Sequence, residues 1–289
     1  MKKKIISVIV GVAGLAAAYF VVSGISHIVY NRPVDTAATE STAETTEQGT
    51  EEAKAAMTED EINEMLAGMK ATETAETATE EQSEVIPVKF EELQAVNPDI
   101  YAWITVPGTV IDYPILQHAS DNTYYLMHNI DGSYGYPGCV YTENMNSKDF
   151  TDNNTVIYGH NMKNGSMFAQ LHKFEDPDFF NENREVLIYL PDEVLHYTIF
   201  AAHVYDDRHL LYSFDFTDPE VYQKYLDSIF STRDMSANID KDVTVTADDQ
   251  IITLVTCIGS QPNNRLLVQA VLTDREPGAE AAQSAVATE

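Results

Sequence analysis

From about Val85 to Glu276 the chain alternates short apolar runs with turn residues, a rhythm that predicts mostly strand. Tyr101 to Val106 and Val110 to Ile115 flank Pro107-Gly108-Thr109 and read as a hairpin. Gly138 to Glu143 and Thr155 to Gly159 are shorter strand-like segments. Glu185 to Leu190, Val194 to Tyr205, Ile251 to Cys257 and Arg265 to Leu272 are rich in Ile, Val, Tyr and Thr, the side chains that pack best on a pleated surface. Helical spacing is confined to a few places. Phe90 to Val96 is a short helix with Leu93 and Val96 inward, and Asp121 to Met127 predicts another opened by a capping Asp or Asn. Gly165 to Phe174 is amphipathic through Phe168, Leu171 and Phe174. Asp218 to Phe230 starts with Pro-Glu and carries Val221, Tyr222, Tyr225, Leu226 and Ile229 on one face. Many short strands with few helices predict a closed or nearly closed β-barrel, mostly β with accessory helices.

The flanks have another character. Lys2, Lys3 and Lys4 precede an uncharged apolar run from Ile5 to about Tyr30, long enough to span a bilayer. With lysines before it and acidic sequence after it, residues 1–30 are expected to be a single-pass membrane anchor. The N-terminus would then be cytoplasmic and the bulk of the chain extracellular; a cleaved signal peptide is the alternative. Residues 31–84 are dominated by Thr, Ala and Glu and are expected to form an acidic flexible stalk. Within it, Thr58 to Glu61 has the form of a capping box, followed by Ile62, Met65, Leu66 and Met69 at helical spacing. A frayed turn in a linker is expected there, with a transient or partner-binding helix as the other reading. Residues 85–276 form the folded domain, and 277–289 return to Ala/Glu-rich sequence and are expected to be a disordered tail.

Charge narrows the function. A net charge of −29 over 289 residues repels phosphates and disfavours a nucleic-acid partner. The chain has two cysteines, Cys139 and Cys257. Cys139 lies inside a strand between Gly138 and Val140 and reads as a buried structural thiol.

Cys257 ends a hydrophobic strand, where a rigid element presents a side chain to a cleft. Arg265 opens the next strand after the loop from Ile258 to Asn264, so an antiparallel pairing would make the two neighbours. A guanidinium there suits either a thiolate or an oxyanion. A nucleophilic thiol also needs an acid–base partner. His160 follows a strand and a Gly, but His27, His118, His128, His172, His196, His203 and His209 compete, and spacing alone does not choose.

Thr253-Leu254-Val255-Thr256-Cys257 followed by Arg265 resembles the Thr-Leu-x-Thr-Cys…Arg signature of sortases. Val156-Ile157-Tyr158-Gly159-His160-Asn161-Met162, continuing through Gly165-Ser166-Met167-Phe168, is similar to the histidine region of class B sortases of Gram-positive bacteria. The region from Asp99 to Pro114 and the helix from Asp218 to Phe230 resemble that class too, so the likeness spans about Val85 to Thr273. It implies an eight-stranded sortase β-barrel, with an N-terminal helix and an inserted helix before the last strands. It implies a cysteine transpeptidase that cleaves a C-terminal sorting motif of a secreted protein after Thr and joins it to a peptidoglycan precursor or cross-bridge amine. By that likeness Cys257 is the nucleophile, His160 the acid–base group and Arg265 the holder of oxyanion or substrate. Asn122, Leu126, Tyr158, Val255, Thr256 and Ile258 are implied to line the substrate groove. No cofactor is implied, and nothing matches the acidic calcium site of another sortase class, so no metal is assigned. The Ser-His-Gly-Cys block of an L,D-transpeptidase is absent. A cysteine protease acting by hydrolysis and a pilin-polymerising enzyme stay open at this point, and a non-catalytic ectodomain is disfavoured by the joint presence of Cys257, His160 and Arg265.

Overall fold

A computed structural model of the chain describes residues 57–70 and 86–278. Among the described residues the first element is α1 (Glu59–Met69). Next come α2 (Phe90–Val96), β1 (Ile100–Thr105), β2 (Asp112–Leu116), β3 (Val140–Thr142) and β4 (Asn154–Tyr158). Then follow α3 (Pro177–Glu182), β5 (Glu185–Tyr189), β6 (Glu193–Asp206), α4 (Leu210–Ser213) and α5 (Pro219–Phe230). The last described elements are β7 (Asn238–Ile239), β8 (Ile251–Ile258) and β9 (Gln261–Pro277). Two 3₁₀ turns, Tyr124–Leu126 and Phe168–Glu175, lie in the connections.

The strands follow one another in space as β5-β1-β2-β3-β4-β8-β9-β6, and β6 pairs back onto β5. Eight strands therefore close into a barrel, and the two-residue β7 adds to the free part of β6. Closure removes the exposed sheet edges on which strands aggregate. Most neighbours are antiparallel, but β2–β3 and β4–β8 are parallel.

Alternation sorts β8 onto two faces. Ile252, Leu254 and Ile258 pack inside the barrel with Leu266, Val268 and Ala270 of β9. Ile251 and Val255 face outward beneath Tyr222, Tyr225, Leu226 and Ile229 of α5. Asp218 caps α5 by accepting from the main-chain N–H of Glu220 and Val221, and Pro219 stands in the first turn, where its missing N–H costs nothing. Between sheet and helix a fully buried Gln269 bonds to the Tyr225 hydroxyl at 2.8 Å and to His203 Nε2 at 3.0 Å. Burial lowers the pKa of His203 and holds the ring neutral.

Three expectations are corrected. The capping-box segment is not a frayed turn. The Thr58 side chain accepts from Glu61 N–H, the Glu61 carboxylate accepts from Thr58 N–H, and Ile62 and Leu66 are buried against Val88, Phe90 and Cys139. Lys70 then closes a 2.7 Å ion pair with Asp112 on β2. The α-helix expected over 165–174 is a 3₁₀ turn that starts only at Phe168. Gly165 and Met167 both have positive φ, which α-helix does not allow. The expectation of a single-pass membrane protein is not upheld: among the described residues no helix is long and apolar enough to cross a membrane. The run proposed as an anchor, most of the proposed stalk and residues 279–289 of the tail lie outside the described residues.

Candidate active site

The site arises where three neighbouring strands end or begin together. β4 and β8 run parallel in a register that matches Tyr158 with Val255. Two residues beyond this pair come Cys257, still on β8, and His160, just past the end of β4, so both lie at the same end of the sheet. On the other side of β8, antiparallel pairing sets Cys257 directly opposite Arg265. Cys257 thus has Arg265 opposite it on one side and, on the other, the strand that leads into His160. The outer face of β8 is buried under α5 as far as Val255; Cys257 is the next outward position and is exposed. Its thiol is free.

The imidazole of His160 is fixed from outside its own strand. Nε2 lies 2.8 Å from the Leu126 carbonyl, and the ring sits 5.3 Å from that of Tyr136. A carbonyl only accepts, so Nε2 carries a hydrogen and Nδ1 is the position that exchanges the second proton. Gly159 lets the chain turn out of β4 where no side chain fits, for a Cβ there would lie 2.5 Å from Phe168 Cγ. The Gly159 N–H still donates to the Val255 carbonyl, and the Thr256 hydroxyl donates back to the Gly159 carbonyl at 2.9 Å.

Arg265 folds over the tip of the β8–β9 hairpin. Its Nη1 donates to the Pro262 and Asn264 carbonyls, each at 2.9 Å, which uses one of three guanidinium nitrogens. Tyr205 of β6 pairs with it on the far side.

The expected groove residues separate into two groups. Leu126 is exposed beside His160, and Tyr158 is half-buried with its ring 5.3 Å from that of Tyr141. Asn122 accepts from the Asn144 main-chain N–H at 2.9 Å, so its carboxamide oxygen braces a loop. Val255, Thr256 and Ile258 are buried, Ile258 in the barrel interior and Val255 under α5. Cys139 is buried, donates to the His128 carbonyl, and has a thiol pKa pushed far up by burial.

Two side chains near the thiol were not picked out from the sequence. Asn161 Nδ2 donates to the Cys257 carbonyl at 2.8 Å, and His172 Nε2 lies 3.1 Å from the same oxygen. Asn161 stands next to His160 in a motif already noted, whereas His172 has no sequence signal that separates it from a surface histidine.

Known proteins place the fold. The Sortase domain family model matches residues 104–273. Sortase B of Listeria monocytogenes is 33% identical over 215 residues, which covers 73% of this chain and 85% of that protein. Sortase B of Staphylococcus aureus is 29% identical over 184 residues, covering 63% of this chain and 73% of that one. Among solved structures, Clostridium perfringens sortase B superposes with a TM-score of 0.59 at 33% identity, covering 64% of this chain and all of that one. The closed barrel, the family match across it and these relatives agree, and the chain belongs to the sortase family, among the class B cysteine transpeptidases.

Proposed function

We propose that this chain cleaves a sorting-motif peptide after Thr through a thioacyl-enzyme on Cys257 and passes the acyl group to a cell-wall amine. The observation that supports the reading is the pairing that sets Cys257 opposite Arg265 and aligns Tyr158 with Val255, which brings His160 and Cys257 to the same end of β4 and β8. In the first half-reaction the Cys257 thiolate attacks the Thr carbonyl carbon. The C–N bond then breaks, and the leaving amine takes a proton from His160. In the second, an incoming amine gives His160 its proton, attacks the thioester and releases the thiolate. Arg265 supplies donors to the oxyanion in both tetrahedral intermediates. The thioester retains the energy of the cleaved amide, so transfer needs no nucleotide. Leu126 and Tyr158 line the approach to the thiol, and Asn122, Val255, Thr256 and Ile258 shape it from beneath.

Peptides with Asn-Pro-x-Thr or Leu-Pro-x-Thr-Gly motifs, incubated with and without a glycyl or diamino-acid amine, test this. The expected products are the peptide cut after Thr and, with the amine present, its amide conjugate. Cleavage at another bond, or cleavage with no conjugate at any amine concentration, overturns the reading.

A further inference from the structure

The main-chain ladder between β4 and β8 stops one step short of the nucleophile. The Val255 carbonyl receives the Gly159 N–H. The next carbonyl on that edge of β8 belongs to Cys257, and β4 has already turned away to its isolated bridge between Asn161 and Met167. Side chains take over there. Asn161 Nδ2 reaches the Cys257 carbonyl at 2.8 Å and His172 Nε2 at 3.0 Å. His172 Nδ1 meets the Glu175 carboxylate at 2.8 Å. A carboxylate only accepts, so Nδ1 carries a hydrogen. His172 Nε2 also lies 3.1 Å from the Cys257 carbonyl: as N–H it donates to that oxygen, and as a bare nitrogen it accepts from one hydrogen of the Asn161 amide, whose other hydrogen goes to Cys257. In either form Glu175, His172 and Asn161 are linked to the carbonyl of the reacting residue.

We propose that His172, oriented by Glu175, is a positioning residue for the nucleophile: with Asn161 it clamps the Cys257 carbonyl and so fixes the angle at which the thiol faces its substrate. The need is specific to this residue. The β8–β9 register breaks between Cys257 and Ile258, so the ladder on the other side also loosens at the nucleophile. The peptide plane is rigid. Holding the Cys257 carbonyl toward β4 therefore turns the Ile258 N–H away from β4, on the side where Arg265 lies. Without the clamp, the thiol and that N–H share a loosely held peptide unit.

The inference rests on Cys257 being the nucleophile, and two readouts keep the claims apart. In the full chain, His172→Ala and His172→Gln are compared for kcat and KM on an Asn-Pro-x-Thr peptide, and for the rate at which iodoacetamide alkylates Cys257. Loss of one such hydrogen bond should lower kcat and the alkylation rate about tenfold, with KM within about twofold. Glutamine, whose amide reaches where Nε2 stood, should restore both. Glu175→Gln is a milder second variant and should slow both readouts about threefold. A His172→Ala protein with wild-type rates overturns the clamp. So do Ala and Gln variants that are equally slow, which would make His172 mere packing, and so does an unchanged Glu175→Gln protein. A wild-type chain that cleaves no such peptide counts against the proposed function, while the alkylation ratios still decide the clamp.

Discussion

Gly159→Ala tests how closely β4 holds His160 to Cys257. The added Cβ would lie 2.5, 2.7 and 3.0 Å from three carbons of the Phe168 ring, where ordinary contact begins near 3.4 Å. The ring is fully buried in the barrel interior and has nowhere to go. The strand end must therefore move by about 0.9 Å to reach ordinary contact. That movement strains the Gly159–Val255 ladder bond and the Thr256–Gly159 bond, and it displaces His160, the next residue. Overpacking of this kind costs about 1–3 kcal/mol. For a domain of this size that lowers Tm by roughly 2–12 °C. A shift near 1 Å at an acid–base group costs about a hundredfold in rate. The expectation is thus a folded protein with a modest thermal deficit and a kcat reduced about a hundredfold. Peptide cleavage and thermal unfolding of the same sample measure both. Shrinking the ring with Phe168→Leu in the Gly159→Ala background should recover part of the rate. A Gly159→Ala protein with wild-type kcat and Tm would refute the argument, and so would one whose rate loss is untouched by the second change.

Other consequences are simpler. In the native protein iodoacetamide should label Cys257 and spare Cys139, whose buried thiol has its pKa pushed up, whereas the denatured chain should take two labels by mass spectrometry. Burial depresses the pKa of His203 below its ordinary 6.5, so the unfolded chain binds the extra proton more readily than the native one. The stability this ring contributes is complete above 6.5 and fades as pH falls from there toward the folded value. Urea unfolding of His203→Gln should accordingly show a shallower loss of stability below pH 6.5 than wild type. Leu66→Ala removes a buried anchor of α1 and should destabilise the domain by about 2 kcal/mol or more, read as a lower urea midpoint.

The β8–β9 hairpin was legible because its apolar alternation is long and its two ends carry Cys257 and Arg265 at hairpin spacing. Pairing then followed from antiparallel geometry alone. His160 was not legible from spacing, since the strand that leads into it pairs in parallel with a strand 97 positions away, Tyr158 against Val255. The family resemblance chose it, and the parallel register supplies the physical reason. The helix α1 hid because its surroundings are acidic and polar; what holds it is a set of tertiary contacts to Val88, Phe90 and Cys139 that local composition does not encode. Among groove residues, a one-letter match could not separate an exposed Leu126 in a 3₁₀ turn from an Ile258 that strand alternation turns into the barrel. Leu126 itself meets His160 through its main-chain carbonyl, a contact no side-chain motif records.

Acyl transfer is proposed to pass through Cys257. Intact and peptide-level mass spectrometry of the full chain, quenched in acid during turnover of a Thr-containing sorting peptide, tests it most directly. The expected result is an adduct with the mass of the N-terminal peptide fragment, labile to hydroxylamine, mapped to Cys257 and absent from Cys257→Ala along with all cleavage. Turnover by the Cys257→Ala protein, or an adduct on any other residue, would contradict it.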